Sequence, residues 1–269
     1  MIYKAPAKIN FGLYIKGKRA DGFHEIESIF TKVPLYDFIE IIPSTTDSFQ
    51  AYNIEIPGNP NKNLCIDALR LLRERGYAIS CYDIHLLKNI PIGAGLGGGS
   101  SDAVAVLKGV NELENLKITS KELVKLSAEL GSDCPFFCIQ GSALIKGRGE
   151  IITPIDFKLK GKYVLLVNPN IHISTAEAYG GLDLSETTQS NIDWDITVND
   201  WQENWINDFE KTLNGKYPAL QRIKETLINT GAEYASLSGS GSSIFGVFNT
   251  KPKKNMFTKE GYSEWIFTL

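Results

Sequence analysis

Pro91-Ile92-Gly93-Ala94-Gly95-Leu96-Gly97-Gly98-Gly99-Ser100-Ser101-Asp102-Ala103 holds five glycines between two segments of different period. Before it, Cys81 to Leu87 alternates as a strand; after it, Ser101 to Leu113 reads as a helix. Glycines let successive backbone N–H groups turn to one side, and a helix start adds the positive end of its dipole. Together they make an anion site without formal charge, suited to the di- or triphosphate of a nucleotide. Ser100 and Ser101 add hydroxyls for a phosphate oxygen or its Mg²⁺. The bland alternative is a flexible link from strand to helix, for which five glycines are excessive.

Two other nucleotide loops are to be weighed. A Walker A loop is excluded, because none of the pairs Gly17-Lys18, Gly161-Lys162 and Gly215-Lys216 is followed by Ser or Thr. Gly93-x-Gly95-x-x-Gly98 does satisfy the dinucleotide pattern, with Glu112 and Glu114 downstream. Against that reading, the preceding segments form a ribbon rather than a βαβ unit, and the serine pair suits phosphate and magnesium better than a cofactor pyrophosphate.

Working outward, the first forty residues are rich in β-branched and aromatic types, with turn chemistry at Lys16-Gly17-Lys18 and Ala20-Asp21-Gly22, and predict an antiparallel ribbon. Leu64, Ala68, Leu71 and Leu72 recur at helical spacing from Asn63 to Arg75, with Gly76 placed to end the helix. Thr119-x-x-Glu122 matches a capping box ahead of Leu123, Leu126 and Leu130, and Gly131 closes that segment. A soft boundary falls near Thr153 to Gly161, which predicts domains over 1–155 and 156–269. Beyond it, Tyr163 to Val167 reads as a strand. Thr175 to Tyr179, Trp201 to Leu213 and Ala219 to Thr230 read as helices, and Ile244 to Phe248 as a strand. Thr187 to Asp200 reads as a surface excursion, and the second half as a small α+β domain.

The 269 residues, 43% hydrophobic and 22% charged, are enough for two modest cores. A net charge of −3 supplies no field for nucleic acid or an anionic membrane, so neither is expected as a partner. The N-terminus, Met1 to Pro6, has no apolar signal region and no stretch reaches membrane-span length, so a soluble cytoplasmic protein is the expectation. Cys65, Cys81, Cys134 and Cys138 lack paired spacing, and with His24, His85 and His172 they form no metal signature; free thiols and no protein-held metal are expected.

The glycine-rich stretch resembles the phosphate loop of the GHMP kinases, Pro-x-x-x-Gly-Leu-Gly-Ser-Ser-Ala, with its centre expanded. Four further blocks extend the resemblance: Ala5-Pro6-Ala7-Lys8-Ile9-Asn10-Phe11-Gly12-Leu13, Arg19-Ala20-Asp21-Gly22-Phe23-His24-Glu25-Ile26, Gly131-Ser132-Asp133-Cys134-Pro135-Phe136-Phe137 and Leu237-Ser238-Gly239-Ser240-Gly241. The resemblance implies a two-domain α+β kinase fold, the first domain like ribosomal protein S5 domain 2 and the second ferredoxin-like, with ATP bound between the domains. It implies ATP and Mg²⁺ as cofactors and a small-molecule cytidine-diphosphate sugar alcohol as acceptor, in a monomer or homodimer.

Phosphoryl transfer needs positioning and charge neutralisation more than a strong base. The resemblance gives Asp133 as that base and Lys8 as the cation keeping it ionised; read alone, Asp133 serves equally as a helix N-cap and Lys8 as a solvated lysine. Pro91, Gly93, Ala94, Gly95, Leu96, Gly97, Gly98, Gly99, Ser100 and Ser101 are carried over as the phosphate loop, with Gly239, Ser240 and Gly241 closing over it and Asn63 and Lys88 bordering the adenosine. A nucleobase needs a flat aromatic face for affinity and polar groups at its edge for choice. Phe23, His24 and Tyr179 are carried over for the cytosine, and Asn10 and Thr175 for the sugar alcohol. Phe23 stands where tyrosine is common in the family, so the stacking face is kept and the phenolic hydroxyl is lost.

Overall fold

The computed structural model of the chain describes residues 1–59, 62–157 and 159–269. The expected ribbon is present as β1 (Ile2–Lys18) paired with β2 (His24–Ser44), followed by the short β3 (Ser48–Tyr52). One expected turn is not: the backbone stays extended through Lys16–Lys18 and reverses only at residues 20–22.

Helix α1 (Leu64–Glu74) starts where Asn63 Oδ1 accepts from the Cys65 N–H and ends where Gly76 and Tyr77 donate back to Arg73 and Leu72, which satisfies its terminal groups at both ends. Strand β4 (Cys81–Leu87) has the expected bounds, whereas α2 (Gly98–Leu113) begins three glycine-loop residues earlier than its apolar pattern. Thr119 Oγ1 accepts from the Glu122 N–H and opens α3 (Ser120–Leu130). A single helical turn, α4 (Cys134–Cys138), precedes β5 (Ser142–Gly147) and β6 (Ile151–Ile155).

In the second half, β7 (Tyr163–Asn168) is followed by α5 (Thr175–Gly180), α6 (Trp201–Asn204), α7 (Phe209–Lys216) and α8 (Pro218–Asn229), then β8 (Tyr234–Leu237), β9 (Ile244–Phe248) and β10 (Ser263–Thr268). The expected helix from Trp201 to Leu213 is broken. Backbone groups of Ile206 and Asp208 bond to both sides of Leu13 in β1, an arrangement no continuous helix could supply. Nor is the 187–200 segment a free excursion: Asp208 accepts from the Thr188 N–H and hydroxyl, Glu27 accepts from the Ile192 N–H, and Ile192 is buried.

The chain forms two compact units, and neither is a continuous half. One comprises Met1–Ala7, Pro34–Ile92 and Gly97–Gln140; the other comprises Lys8–Val33, Gly93–Leu96 and Gly141–Leu269. In the first, β4 pairs antiparallel with the end of β2 and parallel with β3, and α1 packs on α2. Its core joins Ile39, Leu69, Leu72, Ile84, Val106 and Leu123. In the second, the beginning of β2 pairs with β5 and β5 with β6, while a separate antiparallel sheet runs β10-β7-β9-β8 with α8 packed on it. Phe11 anchors an aromatic core there, with Tyr234 stacked at 5.4 Å and Phe157 and Phe245 edge-on. No helix among the described residues is long and apolar enough to cross a membrane.

Candidate active site

Residues two apart on a strand face the same side, so β1 presents Lys8 and Asn10 together. Lys8 is 3% exposed; its Nζ donates to Asn10 Oδ1 at 2.6 Å and lies 4.5 Å from the Phe30 ring centroid. The Lys8 N–H also donates to the Leu96 carbonyl at 3.0 Å, which ties the glycine-rich loop to β1. Ser238 Oγ donates to the Gly95 carbonyl at 3.0 Å, and the Ser243 N–H donates to the Ala94 carbonyl at 3.2 Å. The two glycine-rich segments, far apart in sequence, are thus hydrogen-bonded to each other.

Their approach is close enough to require glycine at position 95. A Cβ there would stand 1.8 Å from the Ser238 carbonyl oxygen, and φ is +75°. Across from it, the Cβ position of Gly239 lies 3.2 Å from Lys8 Nζ. One positioning residue was missed by sequence reasoning. Asn207 donates to the carbonyls of Leu237 and Gly239 at 2.9 Å each, and accepts from the Phe209 N–H. As an isolated polar residue inside a helix-like run it carried no signal.

In the other unit, Gly97 in a left-handed conformation caps α2, and the first-turn N–H groups of Gly98, Gly99 and Ser100 have no acceptor within the helix. Ser101 Oγ and Asp102 Oδ1 are buried with no hydrogen-bond partner among the described residues. Lys88 Nζ is ion-paired to Asp37 and, at 3.2 Å, to Asp102, while Asp37 also accepts from the N–H groups of Asn89 and Ile90. Burial alone would lower the Lys88 pKa, but the charges of Asp102 and Asp37 outweigh it and raise it. Burial raises that of Asp102, and Lys88 offsets only part of the rise. A cavity of about 460 Å³ lies beside Asn63, lined also by Tyr52, Asn53, Ile54, Ile56 and Lys62. Asp133 stands at the N-cap position of α4 and makes no side-chain cap bond.

The Arg19–Ile26 corner is braced by Arg19, which pairs with Asp21 and Glu25. It leaves the Phe23 ring 46% exposed, with the Arg148 guanidinium 4.9 Å from the ring centroid. His24 stacks on Tyr179 with centroids 4.5 Å apart, and Tyr179 meets Phe209 edge-on at 4.9 Å. Burial, then the nearby Lys18 charge, holds the His24 pKa below its usual 6.5, which favours the neutral ring. Thr175 is exposed in the first turn of α5, which Ser174 caps. The structure therefore brings His24 onto Tyr179, leaves Phe23 exposed beside Arg148, and gathers Lys8, Asn10, Gly95 and Gly239 into one cluster.

Comparison with known proteins places the chain in a family. The model of the GHMP kinases N terminal domain matches residues 63–141, and that of the GHMP kinases C terminal matches residues 194–259. The chain belongs to the GHMP kinases, a family of ATP-dependent kinases. It is 43% identical over 257 residues to a Cytophaga hutchinsonii protein named 4-diphosphocytidyl-2-C-methyl-D-erythritol kinase, covering 94% of each chain. An Azobacteroides pseudotrichonymphae protein of the same name is 44% identical over 261 residues, covering 96% of this chain and 97% of that one. Among solved structures, a 4-(cytidine 5'-diphospho)-2C-methyl-D-erythritol kinase superposes with a TM-score of 0.79 at 25% identity, covering 100% of both chains. Methanococcus jannaschii mevalonate kinase shares the fold, with a TM-score of 0.74 at 19% identity and coverage of 100% of this chain and 98% of that one.

Proposed function

We propose that the chain transfers the γ-phosphoryl group of ATP to the 2-hydroxyl of 4-diphosphocytidyl-2-C-methyl-D-erythritol, giving the 2-phosphate and ADP in the non-mevalonate route to isoprenoid precursors. Near-full-length relatives carry that name. The observation that carries the reading is the stack of His24 on Tyr179 next to an exposed Phe23 in the chain, flat faces and a hydrogen-bonding edge that suit a cytosine and that a small aliphatic alcohol would leave unused.

Asp133 accepts the proton of the attacking hydroxyl, and Lys8 keeps that carboxylate ionised and offsets charge on the moving phosphoryl group. Pro91 to Ser101 cradle the phosphates through backbone N–H groups at the start of α2, and Gly239, Ser240 and Gly241 close over them. Asn63 and Lys88 border the adenosine, beside the cavity that Asn63 helps line. The Lys88 ammonium is engaged by Asp37 and Asp102, so its share in that border is to hold the backbone at 88–90. Phe23 and Tyr179 supply the stacking faces, His24 a hydrogen-bonding edge, and Thr175 and Asn10 the sugar-alcohol side.

Magnesium belongs to the same proposal. Among the described residues no group of three His, Cys, Asp or Glu side chains could hold a metal ion. The chain instead fits an ion carried on phosphate oxygens: the Ser101 hydroxyl, unpartnered near the start of α2, and that of Ser100 would supply the protein's oxygens. Bound there, the ion would draw charge from the phosphates. The division into family domains over 1–155 and 156–269 is proposed as well, with the two family models falling one on each side. A cytoplasmic monomer or homodimer, with small molecules as its partners rather than nucleic acid or membrane, completes the reading; the net charge of −3 supplies no field for either polyanion.

The test is a coupled ADP-release assay with ATP, Mg²⁺ and 4-diphosphocytidyl-2-C-methyl-D-erythritol, run beside homoserine, mevalonate and galactose. Turnover confined to the cytidine substrate is expected. Turnover with another alcohol instead would keep the kinase and discard the roles given to Phe23, His24 and Tyr179.

A further inference from the structure

The Lys8 ammonium sits on a flexible four-carbon stem, and its usefulness in the transfer depends on where that stem is held. A chain of hydrogen bonds holds it, and the direction of each follows from the groups themselves. Gly12, at φ +61°, directs its carbonyl toward Ser28, whose Oγ lies 2.5 Å away. A carbonyl only accepts, so the single Ser28 proton goes to it. The lone pairs left on Ser28 Oγ meet Asn10 Nδ2 at 3.1 Å, which donates. With its NH₂ facing Ser28, the Asn10 amide presents Oδ1 on its other side, to Lys8 Nζ at 2.6 Å.

Reversing that amide would set NH₂ against an ammonium and leave two donors facing each other in a dry site. Ser28 and Asn10 are both completely buried, so water cannot repair the mismatch. Upstream, Gly12 is itself fixed: its N–H donates to the Tyr234 hydroxyl, which donates to the Trp205 carbonyl.

We infer that Ser28 is a positioning residue for phosphoryl transfer, acting through the orientation of the Asn10 amide to hold the Lys8 ammonium. The inference rests on the kinase reading and extends it, since neither the phosphate loop nor the base corner contains Ser28. Asn10 then serves the sugar-alcohol side through Lys8.

The experiment compares Ser28→Ala, Ser28→Thr, Lys8→Ala and the Lys8→Ala/Ser28→Ala double variant in the ADP-release assay. Ser28→Ala is expected to lower kcat on the order of tenfold with the KM for ATP changed by less than about twofold. Ser28→Thr, which keeps the hydroxyl, restores kcat, and Ser28→Ala adds no further loss once Lys8 is alanine. Should Ser28→Ala fail to fold, Ser28→Cys, which fills the site with a weak donor, is read by the same criteria. A wild-type kcat for Ser28→Ala, failure of threonine to restore activity, or a full additional loss in the double variant overturns the inference. If Lys8→Ala itself turns over normally, the catalytic reading of Lys8 fails and the inference falls with it; if Lys8→Ala is impaired and Ser28→Ala is not, the inference alone falls.

Discussion

Lys8 and Lys88 are each 3% exposed, and their surroundings differ in kind. Lys88 lies against two carboxylates, Asp37 and Asp102, which match its charge and clamp the backbone at Asn89 and Ile90 to α2. Lys8 donates to a neutral amide oxygen, Asn10 Oδ1, and lies over the face of Phe30, groups that orient an ammonium. A buried ion pair contributes mainly because breaking it strands a charge, whereas an oriented charge can act on something that arrives. The two carboxylates tie Lys88 to the framework of the glycine-rich loop, and Lys8 is the lysine proposed for the reaction.

The sharpest way to break that contrast is to remove each ammonium in turn. Lys8→Met is expected to lower kcat by about 10² to 10⁴, and Asp133→Ala to fall in the same range with nucleotide binding intact. Normal turnover in either variant would move the chemistry elsewhere. Lys88→Met should do the reverse: it strands Asp37 and Asp102, so denaturant unfolding should show a loss of about 3–5 kcal/mol, with kcat of the folded fraction kept. If Lys88→Met abolishes turnover without losing stability, the two lysines are not divided in this way.

Smaller effects sharpen the picture around the same two lysines. Gly95→Ala drives a Cβ into the Ser238 carbonyl and parts the two glycine-rich segments beside Lys8. The KM for ATP is expected to rise about tenfold, read by initial rates. Phe23→Ala should raise the KM for the cytidine substrate several-fold, by roughly one stacking contact, and leave ATP affinity unchanged. The smallest effect is in pH. Because the His24 pKa is depressed below 6.5, the neutral ring persists as pH falls through that value, and the KM for the cytidine substrate should stay flat there, rising only in more acidic solution. A rise centred at the ordinary histidine value would place the ring in water.

Local signals were legible wherever adjacent residues carry the cause. Asn63, Thr119 and Gly76 act on backbone groups within a few positions, so the bounds of α1 and α3 follow closely from the chain. The start of α2 lies three residues before its apolar pattern because glycine has no helical preference, and its place there is set by the loop it closes. The break between α6 and α7 was invisible for a different reason: its cause is Leu13, in another strand. Likewise Asn207 and Ser28 look like ordinary polar residues, and only their partners distinguish them.

The amino-acid sequence by itself determined the loop chemistry, the strand and helix periods, the family and the candidates Lys8 and Asp133, because those depend on residue type and near-neighbour spacing. The tertiary structure alone decided that Lys88 meets Asp37 and Asp102, that Asn10 orients Lys8, that Gly95 meets Ser238, and that His24 finds Tyr179. Those outcomes rest on hydrogen-bond direction and close approach between segments distant in the chain, and neither is written in composition or period.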